Sequence, residues 1–257
     1  GQHRFTAVVD YRDVDFIQRG IASDFGDPNQ DQSQDVTGLA GEYVAQPVDD
    51  LTWTISGRYD GYSDFDDIST WQIAGSYQVQ EQVRLRGSYG TGSKTPTFTE
   101  RYGFFEDFFI GNPNLKPEES KGWEVGVDTE WRDGKVTLGA AYYSMVLKNE
   151  INGFVFDPAQ GAFTAANRDQ DSDRKGIEVI MTVRPADALL LSANYTYTDA
   201  TEPGVIGEDV VEVRRPRNMA SFTANWRFAA EKANLNLNLN YTGSQLDTFF
   251  DPVTFVA

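Results

Sequence analysis

Residues 234–242 read NLNLNLNYT. Leu235, Leu237, Leu239 and Tyr241 fall on every second position, and Asn234, Asn236, Asn238 and Asn240 fill the positions between them. A helix would spread both sets around its circumference, whereas an extended strand puts each set on one face. An uninterrupted leucine row opposite an uninterrupted asparagine row is a β-strand with an apolar solvent or core on one side and water on the other.

The same period recurs along the chain. Leu51, Trp53, Ile55 and Tyr59 alternate with Thr52, Thr54, Ser56 and Arg58. Trp123, Val125, Val127 and Trp131 alternate with Glu124, Asp128 and Glu130, and Phe222, Ala224, Trp226 and Phe228 with Thr223, Asn225 and Arg227. The pattern predicts about eleven strands, near 3–16, 36–46, 51–64, 68–79, 83–93, 120–131, 136–156, 162–184, 189–200, 215–229 and 234–249, and no helix. Short polar turns are expected near 46–50, 80–82, 132–135, 184–188 and 230–233. Longer segments at 18–35, 94–119 and 201–214 join the opposite ends, with short exceptions near 65–67 and 157–161. Tight turns at one end of a meander and long loops at the other are the outer-membrane barrel arrangement.

A soluble sandwich also alternates, with its apolar face buried. Two features favour lipid. The polar face is rich in Asn, Thr, Gln, Arg and Glu, as a wet lumen would be, and Trp53, Trp71, Trp123, Trp131, Tyr195, Tyr197, Trp226 and Tyr241 sit near strand ends on the apolar face, as at a bilayer interface. No apolar run nears the roughly 18 residues of a membrane helix, which excludes helical membrane proteins only.

Composition narrows the function. Among 257 residues, 39 acids against 22 Lys and Arg give a net charge of −17, the wrong sign for nucleic acid. There is no cysteine, so neither a disulfide frame nor a thiolate metal site is available. His3 is the only histidine, Gly90 and Gly92 complete no dinucleotide motif, and enzyme activity is not expected. Asp169, Asp171 and Asp173 imitate the start of an EF-hand, but Arg174 and Ile180 stand where its Gly and closing acid belong. They read as a hydrated lumen row paired with Arg and Lys, and Asp24, Asp27, Asp31 and Asp35 as a solvated acidic loop. No metal site or cofactor is expected.

Several stretches carry a family likeness. They are RYDGYSDF at 58–65, YGTGSKTPTFTERYG at 89–103, GNPNLKPEESKGWEVGV at 111–127, NRDQDSDRKGIEV at 167–179 and RRPRN at 214–218. In this order they resemble the C-terminal half of the barrel of TonB-dependent outer-membrane receptors, including cobalamin and siderophore transporters. The resemblance implies an antiparallel transmembrane β-barrel of 22 strands with a plugged lumen, of which residues 1–257 form a single partial barrel domain. It places plug, early strands and closing strand outside this stretch. It also implies uptake of a large nutrient such as a metal chelate, energised by TonB through that plug, in the outer-membrane lipid. A passive porin or adhesin barrel and a soluble carbohydrate-binding β-domain remain the alternatives. Independently of the family, Pro113 and Pro117 with Asn112 and Asn114 make NPNLKPE a stiff re-entry into the wall.

The segment 94–119 is the candidate binding loop. It gathers Phe98, Tyr102, Phe104, Phe105, Phe108 and Phe109 around Arg101, Glu106 and Asp107. Rings beside a charge are the usual make-up of a binding hot spot. The site expected from the sequence is Arg101, Tyr102, Phe104, Phe105, Phe108 and Phe109, with Arg101 as a fork for an anionic ligand group. The rival reading is that these rings pack the loop against its neighbours.

If the leucine row of 234–242 faces lipid, Leu237→Arg should cost roughly 2–4 kcal/mol at the bilayer midplane and Asn238→Arg clearly less. Equilibrium folding of the two variants into bilayers checks this. An equal or larger effect at Asn238 would reverse the assignment of the faces.

Overall fold

A computed structural model describes residues 1–204 and 208–247. Eleven long strands follow one another as an antiparallel meander. They are β1 (Gln2–Gln18), β2 (Gln30–Val48), β3 (Leu51–Tyr62), β4 (Ile68–Gln80), β5 (Val83–Lys94), β6 (Glu118–Trp131), β7 (Val136–Lys148), β10 (Ser172–Ala186), β11 (Leu189–Pro203), β13 (Asn218–Phe228) and β14 (Ala233–Thr242). Between β7 and β10 the chain leaves the wall and makes a separate hairpin, β8 (Ile151–Asp157) with β9 (Ala162–Asn167). A three-residue strand, β12 (Asp209–Val211), folds back on β11. One turn of helix, α1 (Phe98–Tyr102), lies between β5 and β6.

The wall agrees with the alternation, and three expectations need correction. The strands expected at 136–156 and 162–184 each fuse a wall strand to one arm of the hairpin, because alternation continues through 151–156 after the backbone has turned away at Asn149, whose φ is 53°. The link at 157–161 is therefore the tip of an inserted hairpin and not a short wall loop. A helix does exist, too short for a helical period to show. Its signal was the Thr97–Glu100 spacing of a capping box, in which Thr97 N–H donates to Glu100 Oε2 (2.7 Å) and Glu100 N–H to Thr97 Oγ1 (3.2 Å). The strand expected at 234–249 ends at Thr242, and its last two positions lie outside the described residues.

The links at 49–50, 81–82, 132–135, 187–188 and 229–232 share one end of the sheet. Three of them begin at a register irregularity, between Ala45 and Val48, Gln78 and Gln80, and Val183 and Ala186. Such bulges increase the local twist where the chain reverses.

The two faces differ in kind. Register aligns Leu237 with Ala224 and Leu191, and Leu239 with Phe222, Ala193, Met181 and Leu138. Leu235, Leu237, Leu239, Trp226, Ile177, Trp123, Leu85, Ile73 and Phe5 are all exposed. Among the described residues no second layer covers this face. The other face carries ion pairs and amide rows. Arg84 pairs with Asp128 (2.9 Å), Arg86 with Glu124, and Asn225 donates to Asn236 (2.8 Å). This polar face is concave and encloses about 630 Å³ between β1 and β7, lined by Glu42, Arg58, Gln72, Ser88, Glu124 and Tyr143 among others.

The expected lumen row of Asp169, Asp171 and Asp173 is also corrected. Asp169 and Asp171 precede β10. Asp173 is opposite Val146 and Thr201, two positions from Lys175 and on the face of Ile177, so it points outward. Arg174 takes the inner face instead, donating to both oxygens of Glu212 (2.8 and 2.9 Å) and to Glu150 (2.9 Å). Burial alone would raise the Glu212 carboxyl, but the hydrogen bonds from Arg174 and Arg215 outweigh it and hold the carboxyl below its ordinary range.

Two inner-face glycines let a side chain reach past its neighbouring strand. Arg58 of β3 crosses Gly38 of β2 to bind Asp10 of β1 (2.9 and 3.1 Å) while also holding Asp60. Tyr143 of β7 crosses Gly176 of β10 to reach the Thr198 hydroxyl of β11 (3.0 Å). A Cβ on Gly176 would lie 2.6 Å from the Tyr143 oxygen and against the Tyr197 carbonyl. Gly57 faces outward, and a Cβ there meets nothing nearer than the Thr70 carbonyl at 3.7 Å. Gly176→Val should therefore lose about 1–3 kcal/mol through overpacking, while Gly57→Val stays near neutral. Thermal melting of the two variants in detergent should separate them; matching melting temperatures would contradict this account of the inner glycines.

Candidate ligand-capture surface

Three long connections meet at the end of the wall opposite the tight turns: 19–29, 95–117 and 149–171. The middle one is shaped by a backbone crossing. Gly103, with φ 74°, passes against Gly111, and a Cβ on Gly103 would lie 2.7 Å from the Gly111 nitrogen. From that crossing the segment FFEDFF closes a small loop, with Phe109 N–H donating to the Phe105 carbonyl (2.9 Å) and Phe104 N–H to the Phe109 carbonyl (3.3 Å).

This loop is annealed to the inserted hairpin. Ile110 N–H donates to Phe163 O and Phe163 N–H to Phe108 O, both at 2.8 Å, so the loop adds a short parallel bridge to β9. Below it the NPNLKPE segment is tied down by amides. Asn112 donates to Ala165 O (3.0 Å) and accepts from Asn114 N–H (3.0 Å), and Asn167 accepts from Lys116 N–H (2.8 Å) and donates to Lys116 O (2.9 Å). The stiff re-entry is thus a docking strip for β9. The third segment joins through Asp107 N–H to Phe25 O (3.1 Å) and through Gln30 Nε2 to Gly103 O (2.6 Å).

Apolar packing fills the junction. Phe109, Leu115 and Ala165 form a buried centre, with Phe104, Phe108, Ile151 and Phe163 packed on it. Phe104 stacks on Phe109 (5.1 Å), Phe154 stacks on Phe163 (4.1 Å), and Phe25 tilts against Phe108 (5.2 Å). Fully burying a ring, as at Phe109, contributes roughly 1.5–3 kcal/mol, and the half-buried rings packed around it add smaller amounts that tie the three loops together.

The residues expected from the sequence divide between two tasks. Phe104, Phe105, Phe108 and Phe109 come together, with Phe109 only 3% exposed and the other three half-buried. Arg101 is turned inward and is 4% exposed. Its guanidinium pairs with the Asp64 carboxylate, donates to the Asp64 carbonyl (2.8 Å), and lies 5.1 and 5.0 Å from the Phe65 and Tyr102 rings. Tyr102 is half-buried beside it; burial pushes its phenol up, and the hydroxyl donates to Asp64 (3.3 Å). Both terminal nitrogens of Arg101 are taken by Asp64 and its Nε is buried without a partner, so the group is not presented to a ligand, and these two residues pin α1 to the 63–67 turn.

Sequence reasoning missed Phe25, Phe154 and Phe156. They are 52, 52 and 53% exposed and carry the aromatic surface outward from the junction. The signal was present in FVFDPAQG, where Asp157 accepts from Ala159 N–H (2.8 Å) to start the hairpin tip. The expected acidic loop is corrected, because Asp31 and Asp35 lie on β2: Asp31 accepts from Arg19 (2.6 and 2.9 Å) and Asp35 from the Tyr11 hydroxyl (2.5 Å), while on the loop itself Asp27 accepts from Asn29 N–H (2.9 Å). Among the described residues no three His, Asp or Glu side chains gather as a metal site.

With fold and surface in view, the chain can be set beside known proteins. A family model described as TonB dependent receptor-like, beta-barrel matches residues 1–254. The vitamin B12 transporter BtuB of Photobacterium profundum is 30% identical over 203 residues, covering 76% of this chain and 31% of that protein. The siderophore receptor PirA from Pseudomonas aeruginosa superposes with a TM-score of 0.73 at 18% identity, over 92% of this chain and 41% of that one. A mutant of the ferric enterobactin receptor PfeA from Pseudomonas aeruginosa gives 0.76 at 18% identity, over 95% and 39%. At that identity the superpositions speak for the fold alone. The chain spans about a third of the curated relative's length and about two fifths of each solved receptor. It belongs to the TonB-dependent receptor family, as a partial β-barrel of a bacterial outer-membrane protein.

Proposed function

We propose that this chain is wall and capture surface of a receptor that takes up a scarce, large nutrient, such as a ferric siderophore or cobalamin. The exposed apolar face meets lipid. The concave polar face receives a plug carried elsewhere in the protein, and that plug engages TonB. In this reading the chain binds and passes its ligand without chemical change, and nucleic acid is no partner, since the −17 charge repels phosphate.

The observation that carries this reading is the aromatic surface at the long-loop end. Loops on a rigid scaffold are where binding concentrates. Here rings that no packing demand requires to be exposed stand on a body held by its own buried centre. Phe104, Phe105 and Phe108 line the base of that surface, Phe154 and Phe156 its rim, and Phe109 from within and Arg101 with Tyr102 at α1 hold the arrangement.

The test uses the full-length receptor and its cognate nutrient, found by uptake assay. Phe154→Ala with Phe156→Ala should weaken ligand affinity at least about tenfold, a typical scale for hot-spot rings, and leave barrel melting unchanged. Arg101→Ala should instead make the 95–117 segment sensitive to protease. Full affinity in the double variant would refute capture by this surface.

A further inference from the structure

The charges around the aromatic surface say what class of ligand it accepts. The segments that build it are 19–29, 95–117 and 149–171. They contain four cations, Arg19, Arg101, Lys116 and Arg168, against nine acids. Arg101 is buried on Asp64, Arg19 is held by both oxygens of Asp31, Arg168 pairs with Glu202 (3.1 Å), and Lys116 lines a separate hollow with Lys121 and Lys148. Hairpin 151–167 has no Lys or Arg at all.

The acids are placed differently. Asp24, Glu106, Asp107 and Asp157 are partly or fully exposed. Glu106 and Asp107 lie against the 23–26 turn, where the Phe25 carbonyl accepts from Asp107 N–H and Gly26 packs on Glu106. Asp157 follows Phe156 directly, and hydrogen bonds from Gln160 and from the Ala159 N–H hold its carboxyl below the usual range. Among the described residues Asp24, Glu106, Asp107 and Asp157 enter no ion pair. Ring faces carry the negative end of the aromatic quadrupole and attract cations. Unpaired carboxylates around them extend one sign of potential over the same surface.

We propose that this surface selects a neutral or cationic ligand with a flat apolar part, and rejects polyanionic metal chelates. This rests on the capture reading above and narrows it, because a fork for an anionic ligand group is no longer on offer. At the rings an anion would have to displace Asp64 from Arg101 or approach the carboxylates of Glu106, Asp107 and Asp157, since Lys116 lies in its own hollow beside Lys121 and Lys148; a cation or neutral ring system meets attraction or indifference there.

Three probes of known charge test this on the full-length receptor in detergent: aquacobalamin as a cation, cyanocobalamin as a neutral molecule and ferric enterobactin as a trianion. At low salt the expected order of affinity is aquacobalamin, then cyanocobalamin, with ferric enterobactin weaker by at least about tenfold. Added salt should weaken aquacobalamin binding and leave cyanocobalamin unmoved. Glu106→Lys with Asp107→Lys, both on the exposed tip and outside the buried centre, should lower aquacobalamin affinity and raise that of ferric enterobactin. Ferric enterobactin binding as tightly as the cobalamins, or an order indifferent to the charge reversal, would overturn the charge assignment. If that binding still needed Phe154 and Phe156, the capture reading would survive it. Failure of all three probes to bind would overturn the charge assignment as well, while uptake of some other nutrient that depends on the same two rings would leave capture standing.

Discussion

A peptide group left unpaired in hydrocarbon costs several kcal/mol, and this penalty governs the molecule. A strand in lipid must give every N–H and C=O to a neighbour. Between its edge strands β1 and β14 the antiparallel meander does so by pairing each strand with its neighbours along the wall, β1 through β7 and then β10, β11, β13 and β14. The departure of β8 and β9 follows the same logic, because those strands pair with each other, and β7 and β10 close the gap they leave. Alternation of side chains is then a consequence of the ladder and not a separate choice.

Stability in the wall and in the loops comes from different sources. The wall has almost no buried side chains beyond small or flanking ones such as Val36, Ala45, Ala141, Leu147 and Ala200. Its inner face is ordered by ion pairs and amide rows, and its outer face by the solvent. The loop end has what the wall lacks, a packed apolar centre around Phe109, Leu115 and Ala165. A rigid aromatic body can therefore sit at the mouth of a polar basin without drawing on it for stability.

Alternation reports which face a residue takes and is silent on which strand lies beside it. That is why NLNLNLNYT was legible down to single residues, and why 136–156 passed for one strand although its last residues, 151–156, belong to another sheet. The capping box at Thr97 and Glu100 was written in the sequence but spans too few residues to disturb the period. Arg101 shows a different limit. A cation among rings reads the same whether it points at a ligand or at Asp64, and only the turn at 63–67, distant in sequence, decides between them. The exposed rings Phe25, Phe154 and Phe156 were hidden because each lies on a segment whose apolar residues looked like ordinary strand or loop.

The glycines beneath Arg58 and Tyr143 bear on how such a wall is put together. A strand that pairs one residue out of step turns its leucines inward and is rejected by lipid. A strand two residues out of step keeps every face correct, and the solvent has no means of noticing. Arg58 does notice. In a β2 displaced by two positions Val36 or Ala40 would stand where Gly38 stands, and the guanidinium could no longer cross to Asp10. Tyr143, Gly176 and Thr198 make the same comparison across β7, β10 and β11. Each crossing compares three strands at once, and so proofreads the even-numbered slips that hydrophobic patterning lets through.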